Sequence, residues 1–261
     1  MSAGLFEIVT VRGGTRSLRS LENGETFHPG IGPMEEARLL HVAQHRMDAR
    51  AREGEGFVMW DVGLGAGANA VAVIEAAGTM GARVELRSFD ETLEPLRFAL
   101  EHAGELGYPA RWAGEIGRLL EEGRVEMGDF RKRVMECGGE RPRAVLFDPY
   151  SPRANPGMWT REVFQAIRER AAEDCTLTSY SRSTVTRAAL LRAGWCVGRG
   201  SATGEKTETT VAATRLELLE APLGREWIER VRRSTAAGLL AGGETAEGVA
   251  EELGRCPQMV V

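Results

Sequence analysis

The chain has 261 residues, 43% hydrophobic and 27% charged, with a formal net charge of −5. These proportions belong to a globular protein long enough to bury a sizeable core, and they exclude a disordered or low-complexity chain. No apolar run reaches the length of a bilayer-spanning helix, and the acidic total supplies no global positive field for nucleic acid, though a local basic face remains compatible with it.

The opening stretch, MSAGLFEIVTVRGG, lacks the basic start, apolar centre and small-residue cleavage site of a secretory signal, so a cytoplasmic location without membrane attachment is expected. Cys137, Cys175, Cys196 and Cys256 are scattered, with no CxxC and no His at ligand spacing, and read as reduced thiols with no metal site. The basic residues are nearly all Arg, Lys132 and Lys206 being the only lysines. Coding bias and local phosphate contacts both account for that.

In chain order, residues 5–27 alternate apolar and polar positions around Gly13-Gly14 and Asn23-Gly24, which predicts two or three short antiparallel strands joined by hairpins. GPMEEARLLHVAQHRMDARARE then has helical spacing, with Met34, Ala37, Leu40 and Ala43 on one face. After Gly54 strands and helices alternate. FVMWDVG, RVELRSFD, RVEMGD, RAVLFDPY and CTLTSYS read as strands. ANAVAVIEAAG, ETLEPLRFALEHAGEL, RWAGEIGRLLEEG, TREVFQAIRERAAE and TVTRAALLRAG read as helices, Pro95 falling in a first turn or at a kink. WCVGRGS and ETTVAATRLEL follow one another without a helix and should form an antiparallel hairpin at one edge. The pattern predicts an α/β fold, Rossmann-like, with a mostly parallel seven-stranded sheet. The expected organisation is an N-terminal β segment and helix over 1–53, a ligand-binding α/β domain over 54–220 and a helical appendage over 221–261.

DVGLGAGANA lies where the first parallel strand meets its helix. Gly63, Gly65 and Gly67 let the backbone turn tightly and let a ligand approach without a Cβ in the way. The spacing is not the dinucleotide G-x-G-x-x-G, and Asp61, two residues earlier, suits a ligand's ammonium group, directly or through water. That matches the amino-acid end of S-adenosyl-L-methionine better than a pyrophosphate, with Asn69 in the same segment. Asp90 ends the second strand and can accept from two ribose hydroxyls or cap the following helix. Asp129, between Gly128 and Phe130, can accept from an adenine amino group or cap its helix. Asp148 ends the fourth strand beside the glycine turn, at the edge of a cofactor crevice and near a transferable methyl. The loop after it is stiffened by Pro149, Pro152 and Pro156, which lowers the entropy lost in holding a substrate. Trp159 packs under that loop or stacks on substrate, Tyr150 is suited to either, and His28 reads as structural.

DVGLGAGANA, SFDETLEPL, GDF, LFDPYSPRANPGMWT, TSYSRSTVTRAALLRAGWCV and GEKTE, in this order, resemble the S-adenosylmethionine-dependent domain of the tRNA 5-methylaminomethyl-2-thiouridine biosynthesis proteins. The similarity runs from about Phe27 to Thr210, and the stretch from Asp148 to Thr160 is its most specific part. Tyr150 stands where the family has Phe, and GEKTE replaces a more basic GRKRE. The resemblance implies a methyltransferase that uses S-adenosyl-L-methionine to methylate an aminomethyl group on a wobble uridine of tRNA. It implies that Asp148 accepts or orients the amine proton, and that Asp61, Gly63, Gly65, Gly67, Asn69, Asp90, Gly128, Asp129 and Phe130 hold the cofactor. Glu36 aligns with a family acid and lines the mouth or lies on a solvated helix face. Tyr150, Pro152, Lys206 and Glu208 fall at further substrate positions. Bifunctional members also carry a flavin oxidase domain, so a separate flavin oxidase, or another upstream enzyme acting on the same tRNA, is expected as a partner. A transferase acting on a small amine and a non-catalytic cofactor-binding relative are the competing readings. The spacing of the glycines disfavours a nicotinamide dehydrogenase.

Overall fold

In the computed structural model the described residues are 4–47, 49, 57–203, 207–235 and 245–260. Strands β1 (Phe6–Thr10), β2 (Arg16–Ser20) and β3 (Glu25–Thr26) form a small antiparallel sheet. Gly14 and Gly24 turn its corners at φ 75° and 66°, the left-handed region that hairpin turns demand.

Seven strands make the main sheet: β4 (Phe57–Val62), β5 (Val84–Asp90), β6 (Val125–Met127), β7 (Ala144–Phe147), β8 (Thr176–Ser179), β9 (Cys196–Gly200) and β10 (Thr209–Ala213). Their order is β6-β5-β4-β7-β8-β10-β9. The first five run parallel, and β10 pairs antiparallel with both β8 and β9. The expected fold class is therefore the observed one, with β10 inserted as the inner arm of the terminal hairpin. Crossover helices cover both faces, as parallel strands require. Pro95 sits in the first turn of the helix Glu94–Glu101 without kinking it. Thr160 and Ser183 accept from backbone N–H groups three residues on and so cap the helices Arg161–Arg170 and Thr184–Arg192.

The segment read as one N-terminal helix departs from regular α geometry. An α-helix over Pro33–Ala37 widens into a π-helical turn over Arg38–Val42, where the Ala43 N–H donates to the Arg38 carbonyl at 2.9 Å. Four residues of turn follow, with Arg46 at φ 50°. The extra residue rotates His41 inward, fully buried, beside Leu40.

At the other end, Trp227, Ile228 and Val231 of the helix Glu226–Arg232 join the same apolar cluster as Val145, Phe147 and Leu177 of the sheet. Val249, Ala250 and Leu253 of the helix Ala246–Leu253 do likewise. Gln258 closes the exposed edge. Its side chain accepts from the Val197 N–H at 2.7 Å and donates to the Val197 and Leu223 carbonyls at 2.5 and 2.8 Å. An edge strand is thus satisfied by an amide that mimics a further strand. Among the described residues no helix is long and apolar enough to cross a membrane.

Candidate active site

Open α/β sheets bind ligands beyond the carboxyl ends of their strands, where the strand order reverses. Here that point lies between β4 and β7. A cavity of about 930 Å³ opens there, and its walls include Gly63, Gly65, Asn69, Asp90 and Asp148. Gly128, Phe130, Glu36 and Tyr150 also line it. The small N-terminal sheet forms the far wall through Ser20, Asn23, Glu25 and Phe27. It is tied to the proline loop by Glu25, which accepts from both the Ser151 N–H and the Ser151 hydroxyl. Phe27 meets the Tyr150 ring edge-on, with centroids 5.4 Å apart.

The glycine turn is built for close approach. Gly63 has φ 95°, and a Cβ there would lie 2.7 Å from the Asp148 carbonyl oxygen. The loops after β4 and β7 therefore touch through backbone. Gly65, at φ 53°, donates its N–H to Asp90 Oδ2 at 2.8 Å. Asp90 also accepts from the Thr92 N–H, while Thr92 Oγ1 accepts from Glu94 N–H at the start of the next helix. Asp90 consequently shapes the glycine turn and faces the cavity, and Thr92 serves the helix start. Burial pushes the Asp90 carboxyl above the usual range, against the lowering effect of those N–H donors.

Asp61 is fully buried beneath the turn. Ser88 donates to its Oδ2 at 3.0 Å, and its Oδ1 is buried with no hydrogen-bond partner. Burial, reinforced by Asp148 and Asp90, raises its pKa to about 7. Asn69 Nδ2 donates to Asp148 Oδ2 at 2.8 Å, and Asn69 Oδ1 is likewise buried without a partner.

Asp148 differs from its two neighbours. Burial pushes its carboxyl up, but His41, His28 and Asn69 outweigh that and hold it below the ordinary range. His28 Nε2 and His41 Nε2 lie 4.0 and 3.9 Å from Oδ2. All three groups meet the same oxygen, which leaves Oδ1 for a substrate. His28 Nδ1 also lies 3.9 Å from Glu36 Oε2. Glu36 is buried at 4% exposure, so it lines the mouth and does not sit on a solvated helix face.

Other expected residues are placed elsewhere. Asp129 caps the helix Phe130–Glu136 through the Arg131 N–H and is gripped by the Arg131 guanidinium at 2.7 and 2.8 Å. That contact holds its carboxyl low and leaves it outside the cavity lining, whereas Gly128 and Phe130 on either side are in it. Pro152 stiffens the loop without lining the cavity. Glu208 pairs with the buried Arg187 at 3.0 Å and is absent from the lining. Lys206 lies outside the described residues. Trp159 packs under the loop, donating its indole N–H to the Tyr150 carbonyl at 2.8 Å and stacking edge-on with Phe147 and Tyr180. Sequence reasoning missed His28 and His41 as neighbours of Asp148. The i, i+4 pair in HVAQH carried a signal for His41, but the left-handed His28, at φ 48°, had none.

A family profile described as S-adenosyl-L-methionine-dependent methyltransferase matches residues 109–215. The structure superposes on that of MNMC2 from Aquifex aeolicus with TM-score 0.69 and 27% identity, covering 97% of this chain and 85% of the other. Residues 109–215 thus match an S-adenosyl-L-methionine-dependent methyltransferase profile, and the chain shares the fold of MNMC2. The chain is 31% identical over 206 residues to a bifunctional tRNA 5-methylaminomethyl-2-thiouridine biosynthesis protein of Azoarcus sp., a match spanning 71% of this chain and 32% of the relative. The corresponding protein of Aeromonas hydrophila is 26% identical over 257 residues, spanning 88% of this chain and 38% of the relative. The chain thus spans about a third of the length of the curated relatives it matches.

The residues present fit that cofactor. Asn69 Oδ1, a buried acceptor without a partner, lies in the cavity wall at the glycine turn, where an ammonium group needs acceptors; Asp61 Oδ1, also without a partner, lies beneath the turn, and Asp61 and Gly67 are outside the cavity lining. Asp90 offers a carboxylate at the end of β5, and the glycines keep the turn clear of side chains.

Proposed function

We propose that the chain methylates the exocyclic amine of a 5-aminomethyl group on a wobble uridine of tRNA, in the cytoplasm. The observation that carries this reading is Asp148, a carboxylate kept ionised at the cavity wall by two imidazoles and an amide. A negative charge there attracts an alkylammonium substrate and can take its proton. The relatives' names give a product, tRNA 5-methylaminomethyl-2-thiouridine, and taking one methyl from its amine leaves an aminomethyl uridine as the substrate.

S-adenosyl-L-methionine supplies a methyl group on a positively charged sulfur. Asp61, Asn69 and Asp90 are suited to bind its ammonium and hydroxyl groups, and the glycine turn admits it. Asp148 Oδ1 orients the amine and takes part in removing its proton, since a protonated amine has no lone pair for attack. Tyr150 and the rigid proline loop position the nucleophile in line, and such positioning supplies much of the acceleration in a displacement of this type. The free amine must be produced by an upstream modifying enzyme, and a separate flavin oxidase is the class the resemblance names.

Incubation with labelled cofactor and tRNA from cells lacking the modification tests the reading. Label in a 5-methylaminomethyl uridine is expected. Label in small amines with none in tRNA would replace the substrate, and no transfer to either would leave a cofactor-binding protein.

A further inference from the structure

Transfer to an amine releases a proton. The substrate arrives as R–NH3+ and loses one N–H proton; the freed pair forms the N–CH3 bond, the S–CH3 bond breaks with its electrons moving to sulfur, and R–NH2+–CH3 leaves. One proton must therefore be stored or exported in each turnover while the cofactor and a bulky substrate fill the cavity. Asp148 is a poor place to keep it, because its surroundings favour the carboxylate.

Behind Asp148 lies a continuous line of buried groups. His41 is fully buried, and its Nε2 faces Asp148 Oδ2 at 3.9 Å with no hydrogen-bond partner of its own. Its Nδ1 meets Thr178 Oγ1 at 2.7 Å. The same hydroxyl meets His45 Nε2 at 2.9 Å, and His45 Nδ1 meets Thr176 Oγ1 at 2.8 Å. His45, Thr178 and Thr176 are buried as well. The line follows from two matching periods: His45, in the turn after the π-helical segment, donates its N–H to the His41 carbonyl at 3.1 Å and so lies one turn on, and Thr176 and Thr178 are two apart on one face of β8. A hydroxyl both donates and accepts, so one threonine between two imidazoles is a proton conductor by construction.

We propose that His41, Thr178 and His45 form a buried proton relay that takes the amine proton from Asp148 during methyl transfer. The inference rests on the proposed amine substrate. In the resting relay His41 is neutral with its proton on Nδ1, and Asn69 and His28 keep Asp148 ionised; Nε2 then accepts the proton, the Nδ1 proton passes to Thr178, and the Thr178 hydroxyl proton passes to His45 Nε2. His41 and Thr178 end neutral and His45 ends as an imidazolium, held through Nδ1 by Thr176. The steps reverse to cavity water when product leaves. The gap of 3.9 Å needs to close by several tenths of an ångström, as hydrogen bonds between catalytic groups commonly tighten only in the loaded complex. At the Asp148 end of the line, His28 also lies 3.9 Å from Glu36, and Tyr180 feels the charges of Asp148, Glu25 and Glu36; Arg38, three residues before His41, is paired with Glu75 at 2.6 Å.

Thr178→Val keeps the shape and removes the hydroxyl, and Thr178→Ser restores it. On aminomethyl-uridine tRNA, Thr178→Val should lower kcat about tenfold near neutral pH, a fraction of a general-base effect. KM for cofactor and tRNA should hold, the loss should fade at high pH where the amine arrives neutral, and Thr178→Ser should recover most of the rate. Wild-type kcat in Thr178→Val overturns the relay, as does a loss shared by Thr178→Ser and independent of pH, which would mark packing alone. A second readout needs no turnover. Nitrogen NMR of the imidazoles in the cofactor-free protein should show the His45 signals responding to Asp148→Asn, and Thr178→Val should abolish that response. Unresponsive His45 signals overturn the relay. Failure of the wild type to methylate tRNA overturns the substrate assignment instead, with the NMR result still deciding whether the line conducts.

Discussion

Two clusters of buried charge lie at opposite parts of the main sheet, and they are built on opposite terms. Near the hairpin edge, Arg187 is 1% exposed and fully satisfied: Nε donates to Thr210 Oγ1 at 3.0 Å, Nη1 to Glu208 at 3.0 Å and Nη2 to the Thr209 carbonyl at 2.8 Å. Arg199 and Arg230 approach the same Glu208 at 3.6 and 3.7 Å. At the carboxyl ends of β4, β5 and β7, three acids gather instead. Burial, with Asp148 and Asp90 adding to it, pushes the Asp61 pKa up, and buried oxygens of Asp61 and Asn69 stay without partners. A satisfied network holds a fold together, whereas an unsatisfied one of like charge costs stability and is kept for what binds there. The contrast explains why Glu208, inside a motif shared with the relatives, turns up as scaffold.

The largest effect should come from breaking the satisfied cluster. Arg187→Ala empties a buried site and takes the closest cation from Glu208 and a donor from the Thr210 hydroxyl and the Thr209 carbonyl, and should cost about 3–5 kcal/mol of stability by urea denaturation. Lys in its place reaches only part of the fork. Cofactor affinity of the folded variant should be unchanged. A large loss of affinity with intact stability would reverse the assignment of the two clusters.

The opposite sign is expected at the crevice. Folded Asp61 titrates near 7, and its unfolded value lies near the ordinary 3.8. The folded state therefore binds the extra proton, and stability falls as pH rises from about 4 through about 7. Asp61→Asn should match wild type near pH 4 and exceed it at pH 8 by up to roughly 4 kcal/mol, since each pH unit between the two values is worth about 1.4 kcal/mol. The same variant should bind the cofactor more weakly. Stability curves at several pH values check the first claim and calorimetry the second. Parallel curves at all pH values would remove Asp61 from the strained set.

Most of the fold was legible because its signals are local. Alternating strands and helices, Gly13-Gly14, Asn23-Gly24 and the acids ending β4, β5 and β7 all act within a few residues of where they are written. The choice between roles for Asp129 was not legible, because Arg131 decides it through a side-chain contact that a helix cap and an adenine acceptor share in sequence. The surroundings of Asp148 were legible still less. His28, His41 and Asn69 come from three separate segments, at separations that only the closed sheet brings within 4.0 Å. The π-helical turn that swings His41 inward has no composition of its own.

Asp148→Asn sharpens the difference between charge that acts and charge that supports. Turnover should fall about 100-fold or more, which is about 2.7 kcal/mol at the barrier, while cofactor affinity changes little. Because its neighbours hold this carboxyl low, wild-type rates should show no break from Asp148 at neutral pH. The defect of the variant should ease at high pH, where more of the substrate amine is neutral. A pH–rate profile of both proteins on aminomethyl-uridine tRNA reads all three, and a pH-independent loss with a lowered melting temperature would make Asp148 a brace for the proline loop.

The smallest effect is the most diagnostic, because Asp90 belongs to both kinds of cluster. It is satisfied on one side by Gly65 and Thr92, and on the other it faces the cavity. Asp90→Ala removes a charged acceptor and should weaken S-adenosyl-L-methionine binding by roughly 1.5–3 kcal/mol, or about 10- to 150-fold in Kd. That loss alone does not separate contact with the ribose from support of the glycine turn. Comparing the cofactor with its 2′-deoxy analogue does. If Asp90 accepts from the ribose, wild type should discriminate between the two ligands and Asp90→Ala should not, so the two losses fail to add. If Asp90 only shapes the turn, the variant should discriminate as well as wild type, the losses should add, and Asp90→Asn, whose single carbonyl oxygen can still accept from Gly65, should bind both ligands almost normally.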